Sequence, residues 1–276
     1  MSDLPQFDRI GYWSEIKLEI LQKYASAYSR ILSAQKNPAL YHVYIDAFAG
    51  GGAHITKAGG LVPGSPLHAL DVRPPFRAYY LIDIEPEKIE SLRKLIGRRD
   101  DVLIFQGDCN GILLNKVFPQ VQYGDYRRGL CILDPYGIDL NWEVIQAAGQ
   151  MNTLDVFLNF PVMDINRNVL WRNPEKVGPS QIQRMNAFWG DESWRDIAYR
   201  TDGNLFQWPE KQSNEVVAEA FRRRLQKVAG FARVPRPLPM QNSTGAIVYY
   251  LYFASQKNTA EHIVLDIFEK YESRGE

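Results

Sequence analysis

Cysteine is scarce in this 276-residue sequence, with only Cys109 and Cys131, so no disulfide framework can hold the fold. The four histidines are scattered without metal-ligand spacing, and no metal site is expected. Charge of one sign is also missing. Lys plus Arg and Asp plus Glu both total 32, which excludes a strong nonspecific pull of the whole surface on nucleic acid and leaves only a local patch. No apolar run approaches membrane-spanning length, and the start, MSDLPQFDRIGYW, lacks a basic-then-apolar leader. The expectation is a soluble cytoplasmic protein without membrane contact. There is no internal repeat and no low-complexity tract.

What is present can build a large core, since 45% of residues are hydrophobic and 12% aromatic. Trp13, Ile16, Ile20, Tyr24, Tyr28 and Ile31 recur at helical spacing and predict a long amphipathic helix over 13–32. Five short β-rich runs follow, HVYIDAF, AYYLID (78–83), DVLIFQG (101–107), GLCILDP (129–135) and LDVFLNF (154–160). Helical patterns at 86–97, 109–118 and 141–150 separate them. Strands apolar throughout and divided by helices predict βαβ units and a parallel sheet covered on both faces. Ser65 and Pro66 in GSPLHAL read as a helix cap and first turn, which leaves 50–64 as a long loop after the first strand. Order breaks down after residue 161. The stretch with Trp171, Trp189, Trp194 and Trp208 reads as a mostly helical insertion with a tryptophan core. A helix from SNEVVAEAF, a strand in GAIVYYLYFAS and a closing helix from NTAEHIVLDIFEKYE complete the chain. The divisions expected are 1–161, 162–210 and 211–276.

Four acids stand at or next to strand ends, Asp46, Asp83, Asp108 and Asp134. Ligands of open α/β sheets bind at that edge, although any one such acid can equally be a helix cap. The set has the order that S-adenosylmethionine needs. Glycines after the first strand (Gly50 and Gly52, with Phe48 and Ala49) let the backbone approach the methionine end. Asp83, followed by Ile84, can accept ribose hydroxyls, and Asp108, followed by Cys109, can accept the adenine amine. Asp134 lies beside the methyl group. Asp46 is expected to organise the glycine loop and to reach toward the methionine moiety. A dinucleotide site fits less well. GGGAHI lacks the third glycine of G-x-G-x-x-G, and the second-strand acid comes too far beyond the glycines. In LDPYGIDLNW, Asp134 and the Pro135 carbonyl can accept from an exocyclic base amine while Tyr136 stacks on the base. Asp134, Pro135 and Tyr136 are therefore the candidate catalytic group, and Asn159 a substrate contact. A proline turn with a packed tyrosine explains Asp134, Pro135 and Tyr136 structurally, and Asn159 can equally cap a turn. The basic run FRRRLQKVAGFARVPRP is either a solvated helix face or a phosphate contact.

With GYWSEIKLEILQKYASAY, YIDAFAGGG, GSPLHAL, LIDIEPEKIESL, GDCN, DPYG and MQNSTGAIVYYLYFAS in view, the chain resembles the three-Cys-motif partner proteins. The resemblance implies a Rossmann-like class I methyltransferase fold, a mostly parallel seven-stranded sheet with helices on both faces and a helical insertion after the fifth strand. It also implies S-adenosylmethionine as cofactor and a protein partner bearing the cysteine motif. Many members look like they read AGPG where this chain has AGGG. Three functions remain in play: a methyltransferase acting on a nucleic-acid base amine (guanine N2 or adenine N6), a non-catalytic methyltransferase-like scaffold for that partner, and an NAD-dependent oxidoreductase.

Overall fold

The structure, a computed structural model, describes residues 9–56, 59–200, 210–242 and 244–272. Its elements run in chain order as β1 (Arg9–Ile10), α1 (Tyr12–Ala34), β2 (Tyr41–Asp46), β3 (Ala53–Thr56), β4 (Leu61–Pro63), α2 (Ser65–Leu70), β5 (Ala78–Asp83), α3 (Pro86–Ile96), β6 (Val102–Gln106) and α4 (Cys109–Ile112). Then come β7 (Arg127–Leu133), α5 (Trp142–Gln150), β8 (Leu154–Phe160), α6 (Val162–Asn168), α7 (Pro179–Trp189), α8 (Trp194–Ala198), β9 (Tyr199–Arg200), β10 (Glu210–Lys211), α9 (Asn214–Lys227), β11 (Leu238–Gln241), β12 (Ile247–Ala254) and α10 (Asn258–Glu272).

The main sheet has seven strands in the order β11-β12-β8-β7-β2-β5-β6. The pairings β2–β5, β5–β6, β2–β7 and β7–β8 are parallel, whereas β12 runs antiparallel to both β8 and β11. Counted along the sheet in chain order the strands read 6-7-5-4-1-2-3, with only the seventh reversed. That order is the Rossmann-like class I methyltransferase fold. Its direction of winding switches between β2 and β7, which opens a crevice at the carboxyl ends of those strands.

Side chains alternate across the sheet and build two cores. Val43 and Ile45 of β2 face α4, α5, α7 and α9, whereas Tyr44 faces α1, α2, α3 and α10. Long apolar strands with two covered faces follow from this arrangement, as in β8, where all seven residues are buried.

Two expectations about local structure are corrected. The 50–64 segment is no plain loop. Ala53–Thr56 and Leu61–Pro63 pair antiparallel, and Arg9–Ile10 joins them in a small separate sheet. Glycines at 59 and 60 make the turn, which the glycine-rich composition disguised as loop. Ser65 does not cap α2. Gly64 holds the cap position, and the Ser65 hydroxyl donates to Asp46 instead. The region after β8 is mostly helical as expected, with α6, α7 and α8, and adds the short antiparallel pair β9–β10. Trp189 and Trp194 are buried there, Trp171 is 41% exposed, and Trp208 lies outside the described residues.

Candidate functional site

A cavity of about 370 Å³ opens at the carboxyl edge of the sheet, at the β2/β7 switch point. Three walls meet there. The turn after β2 brings Phe48, Ala49 and Gly50, the end of β5 brings Asp83, and the loop after β7 brings Asp134, Pro135 and Tyr136. Asn159 enters from the end of β8, and Asp164 and Arg167 from α6. The first turns of α1 and the start of β12 close the remaining sides through Ser14, Lys17 and Tyr249.

The glycine turn is held by two carboxylates. Asp46 is fully buried, taking the Phe48 amide on Oδ1 (3.2 Å) and the hydroxyls of Ser65 (2.6 Å) and Tyr44 (3.1 Å) on Oδ2. Burial pushes its pKa up to about 6; the three hydrogen bonds work against that rise, and the charge on Asp134 adds to it. Asp83 accepts the Gly50 amide on Oδ2 at 2.8 Å and the Glu85 amide on Oδ1 at 2.9 Å. Gly50 has φ +63°, and a Cβ there would meet nothing within 4 Å, so this backbone is open to the cavity.

The DPYG loop is anchored on both sides of its exposed tyrosine. Asn159 Nδ2 donates to the Pro135 carbonyl at 3.1 Å. Asn110 takes the Asn141 amide at 2.8 Å and donates to the Asp139 carbonyl at 3.0 Å, while Ile138 and Leu140 are buried. Tyr136 is left projecting, 76% exposed, with the Lys88 ammonium 5.3 Å from its ring centre. The Lys17 ammonium bonds the Asp134 carboxylate and lies 5.3 Å from the centre of the Tyr249 ring. Burial works to lower the Lys17 pKa, but the Asp134 carboxylate and the Tyr249 hydroxyl together raise it above its usual value. Burial acts the other way on the Tyr249 hydroxyl and pushes it up to about 12. Lys17 is thus a cation throughout the neutral range.

The expected residues divide. Phe48, Ala49, Gly50, Asp83, Asp134, Pro135, Tyr136 and Asn159 come together in the one cavity. Asp46, Gly52, Ile84, Asp108 and Cys109 do not line it. The reach expected of Asp46 is corrected, because Ser65, Tyr44 and the Phe48 amide take up its carboxylate inside the protein. Gly52 has φ +87°, and a Cβ there would press to 2.9 Å from Leu92 Cδ1, so its role is packing against α3. Asp108 is the cap of α4, accepting the Asn110 and Gly111 amides. Cys109 is buried in the core, where burial pushes its thiol up to about 12. Ile84 is 66% exposed on the surface beside Asp83.

No protein-family model and no curated protein sequence matches the chain. Among solved structures it is similar to a protein of Legionella pneumophila, with 13% identity over 92% of each chain and a TM-score of 0.49. It is also similar to a SAM-dependent methyltransferase of Leishmania major, with 9% identity over 88% of this chain and 82% of that one and a TM-score of 0.38. The plantazolicin methyltransferase BpumL, in complex with SAH, shares 9% identity over 88% and 86% of the two chains at a TM-score of 0.37. The superpositions are loose, and the fold is assigned by the strand order.

The sequence reading missed Lys17, Asp164, Arg167 and Tyr249. Lys17 had a legible signal, since it lies between Trp13 and Leu21 on the apolar stripe of α1, where a charge calls for a partner. The basic run is structural in its helical part. Arg222 and Arg223 both bind Glu219, and Arg224 binds Asp191 and the Trp189 carbonyl while stacking 4.6 Å from the Trp142 ring centre. No helix is long and apolar enough to cross a membrane, and no cluster suited to a metal occurs, among the described residues.

Proposed function

We propose that this chain is an S-adenosylmethionine-dependent methyltransferase that modifies an exocyclic amine of a nucleic-acid base, guanine N2 or adenine N6. The observation that carries the reading is the meeting of Gly50 and Asp83 with the Asp134–Tyr136 turn in a single cavity. The residues fit the cofactor. Gly50 offers bare backbone, and each oxygen of Asp83 has accepted one amide and keeps capacity for a ribose hydroxyl. When bound, the cofactor supplies a methyl group made electrophilic by its sulfonium sulfur.

The chain's part is positioning and charge. Asp134 and the Pro135 carbonyl accept the hydrogens of the amine, which orients the nitrogen lone pair, and the Tyr136 ring supplies a stacking face. Asn159 holds the Pro135 carbonyl in place. Lys17 pairs with the Asp134 carboxylate and holds it beside the reacting nitrogen, where it stabilises the positive charge that develops there. No strong base is required, because a methylated, positively charged nitrogen sheds its proton readily.

Calorimetric titration with S-adenosylhomocysteine tests the cofactor half. Saturable binding that Asp83→Ala weakens at least about tenfold is expected. Failure to bind at millimolar ligand sinks the proposal.

A further inference from the structure

A second cavity, of about 310 Å³, lies at the other edge of the sheet. Its wall includes Arg128 near the start of β7 and Leu154 at the start of β8, whereas the crevice lies beyond the carboxyl ends of those strands. A seven-residue strand sets the two edges about 20 Å apart, so the proposed methyl transfer does not use this cavity. One side is apolar, built by Ile31 and Leu32 of α1, Leu40 before β2 and Ile263 of α10.

The other side is polar and carries excess positive charge. Arg128, Lys257 and Asp155 are the charged residues of the wall, two cations against one acid. Asp155 is already engaged, since one oxygen accepts the Tyr24 hydroxyl and the other the Ser255 hydroxyl, and burial raises its pKa. Neither cation has a carboxylate partner at ion-pair distance among the described residues. Arg128 gives one N–H to the Arg127 carbonyl and lies 4.1 Å from the Tyr123 ring centre, so most of its donors remain open. Thr259 and Ala260, in the first turn of α10, also face the cavity. The Glu261 amide donates to the Lys257 carbonyl and opens that helix, so the amides just before it have no acceptor within it. An unsatisfied helix N-terminus favours a negative charge. Independently, Tyr28 is only 7% exposed and lines the cavity, and its hydroxyl has no hydrogen bond among the described residues while keeping some accessible surface.

We propose that this cavity binds an amphipathic monocarboxylate, with its head among Arg128, Lys257 and the Tyr28 hydroxyl and its hydrocarbon body along Ile31, Leu32, Leu40 and Ile263. A single negative charge matches the excess of one cation in the wall. A phosphate, close to doubly charged, would repel the Asp155 carboxylate more strongly, a neutral head would forgo the charge-assisted hydrogen bonds, and a cationic head would face two like charges. An anion without an apolar body would leave the hydrophobic side wet.

Isothermal titration of the full chain with sodium octanoate at neutral pH tests this, with 1-octanol, octylamine, octyl phosphate and acetate as matched probes. Octanoate is expected to bind saturably at one site, more tightly than octyl phosphate and at least about tenfold more tightly than the other three. Lys257→Gln and, separately, Arg128→Gln are expected to weaken octanoate at least about tenfold, and Tyr28→Phe at least about threefold. Lys257 is an exposed side chain, so Lys257→Gln should keep the native melting temperature and its loss of affinity reads the site rather than the fold. Absence of saturable binding at millimolar octanoate, octanol or octyl phosphate binding as tightly as octanoate, or octanoate affinity that survives both cation variants overturns the proposal. None of these readouts involves S-adenosylhomocysteine, so this site and the methyltransferase reading stand or fall separately.

Discussion

Asp134 draws its countercharge from Lys17, 117 residues earlier in the chain, and both side chains are largely out of solvent. Removing one partner strands the other charge. Lys17→Met is expected to lower unfolding stability by about 1–3 kcal/mol in urea titrations, discounted from a fully buried pair because Asp134 keeps some solvent contact. The double variant Lys17→Met/Asp134→Asn should lose less than the sum of the singles, and strict additivity would show that the pair is not coupled. Asp46 gives a pH signature of opposite character to an ordinary surface carboxylate. Its pKa is raised in the folded state, so the protonated form is favoured there. The resulting stability is fully present below the unfolded carboxylate's range and is lost as pH rises through about 6. The melting temperature of the native protein relative to Asp46→Asn should therefore climb as pH falls from 7 to 5. A flat difference across that range, measured by scanning calorimetry, would contradict the burial argument.

Among the elements, the turn after β2 separates two uses of glycine. Gly52→Ala must both adopt a left-handed backbone and displace Leu92, so a stability loss of about 2–3 kcal/mol is expected. Gly50→Ala meets no neighbour and should cost about 1 kcal/mol, while S-adenosylhomocysteine affinity falls by at least about tenfold because its methyl group enters the cavity. Chemical denaturation and calorimetry on the two variants distinguish the roles. The five parallel strands were legible in the sequence because each reads as a mostly apolar run, and all but the edge strand β6 are largely buried on both faces. The β3–β4 hairpin and β11 were not, since one is cut by glycines and the other, Leu238–Gln241, contains a proline at the sheet edge. In the site, the acids of the strand ends were visible from spacing. Which of them face a cavity was not, because Asp46 and Asp108 find their partners within a few residues of each strand end or in a folded neighbour such as Ser65. Asp164 lies in a region without strand periodicity, and only the fold carries it back to the DPYG turn.

At the scale of the whole molecule, Asp155 ties three separate parts of the chain together. It sits near the start of β8, accepting the Tyr24 hydroxyl of α1 at 2.7 Å and the Ser255 hydroxyl after β12 at 2.5 Å. Asp155→Ala leaves both hydroxyls buried without an acceptor and is expected to cost about 2–4 kcal/mol, most of it recovered in Asp155→Asn. Equal losses in the two variants would mean that packing volume, not hydrogen bonding, is what Asp155 supplies. The walls of the cavity are similarly dispersed, with Lys17 near one end of the sequence and Tyr249 near the other. A ribosome makes α1 and the parallel strands long before it makes β12. Until Tyr249 has emerged and docked, the nascent crevice stands open on one side and Lys17 has no aromatic neighbour to shelter it. The crevice is therefore complete only once the last strand has been made, and a chain stalled short of β12 would lack the wall that Tyr249 supplies.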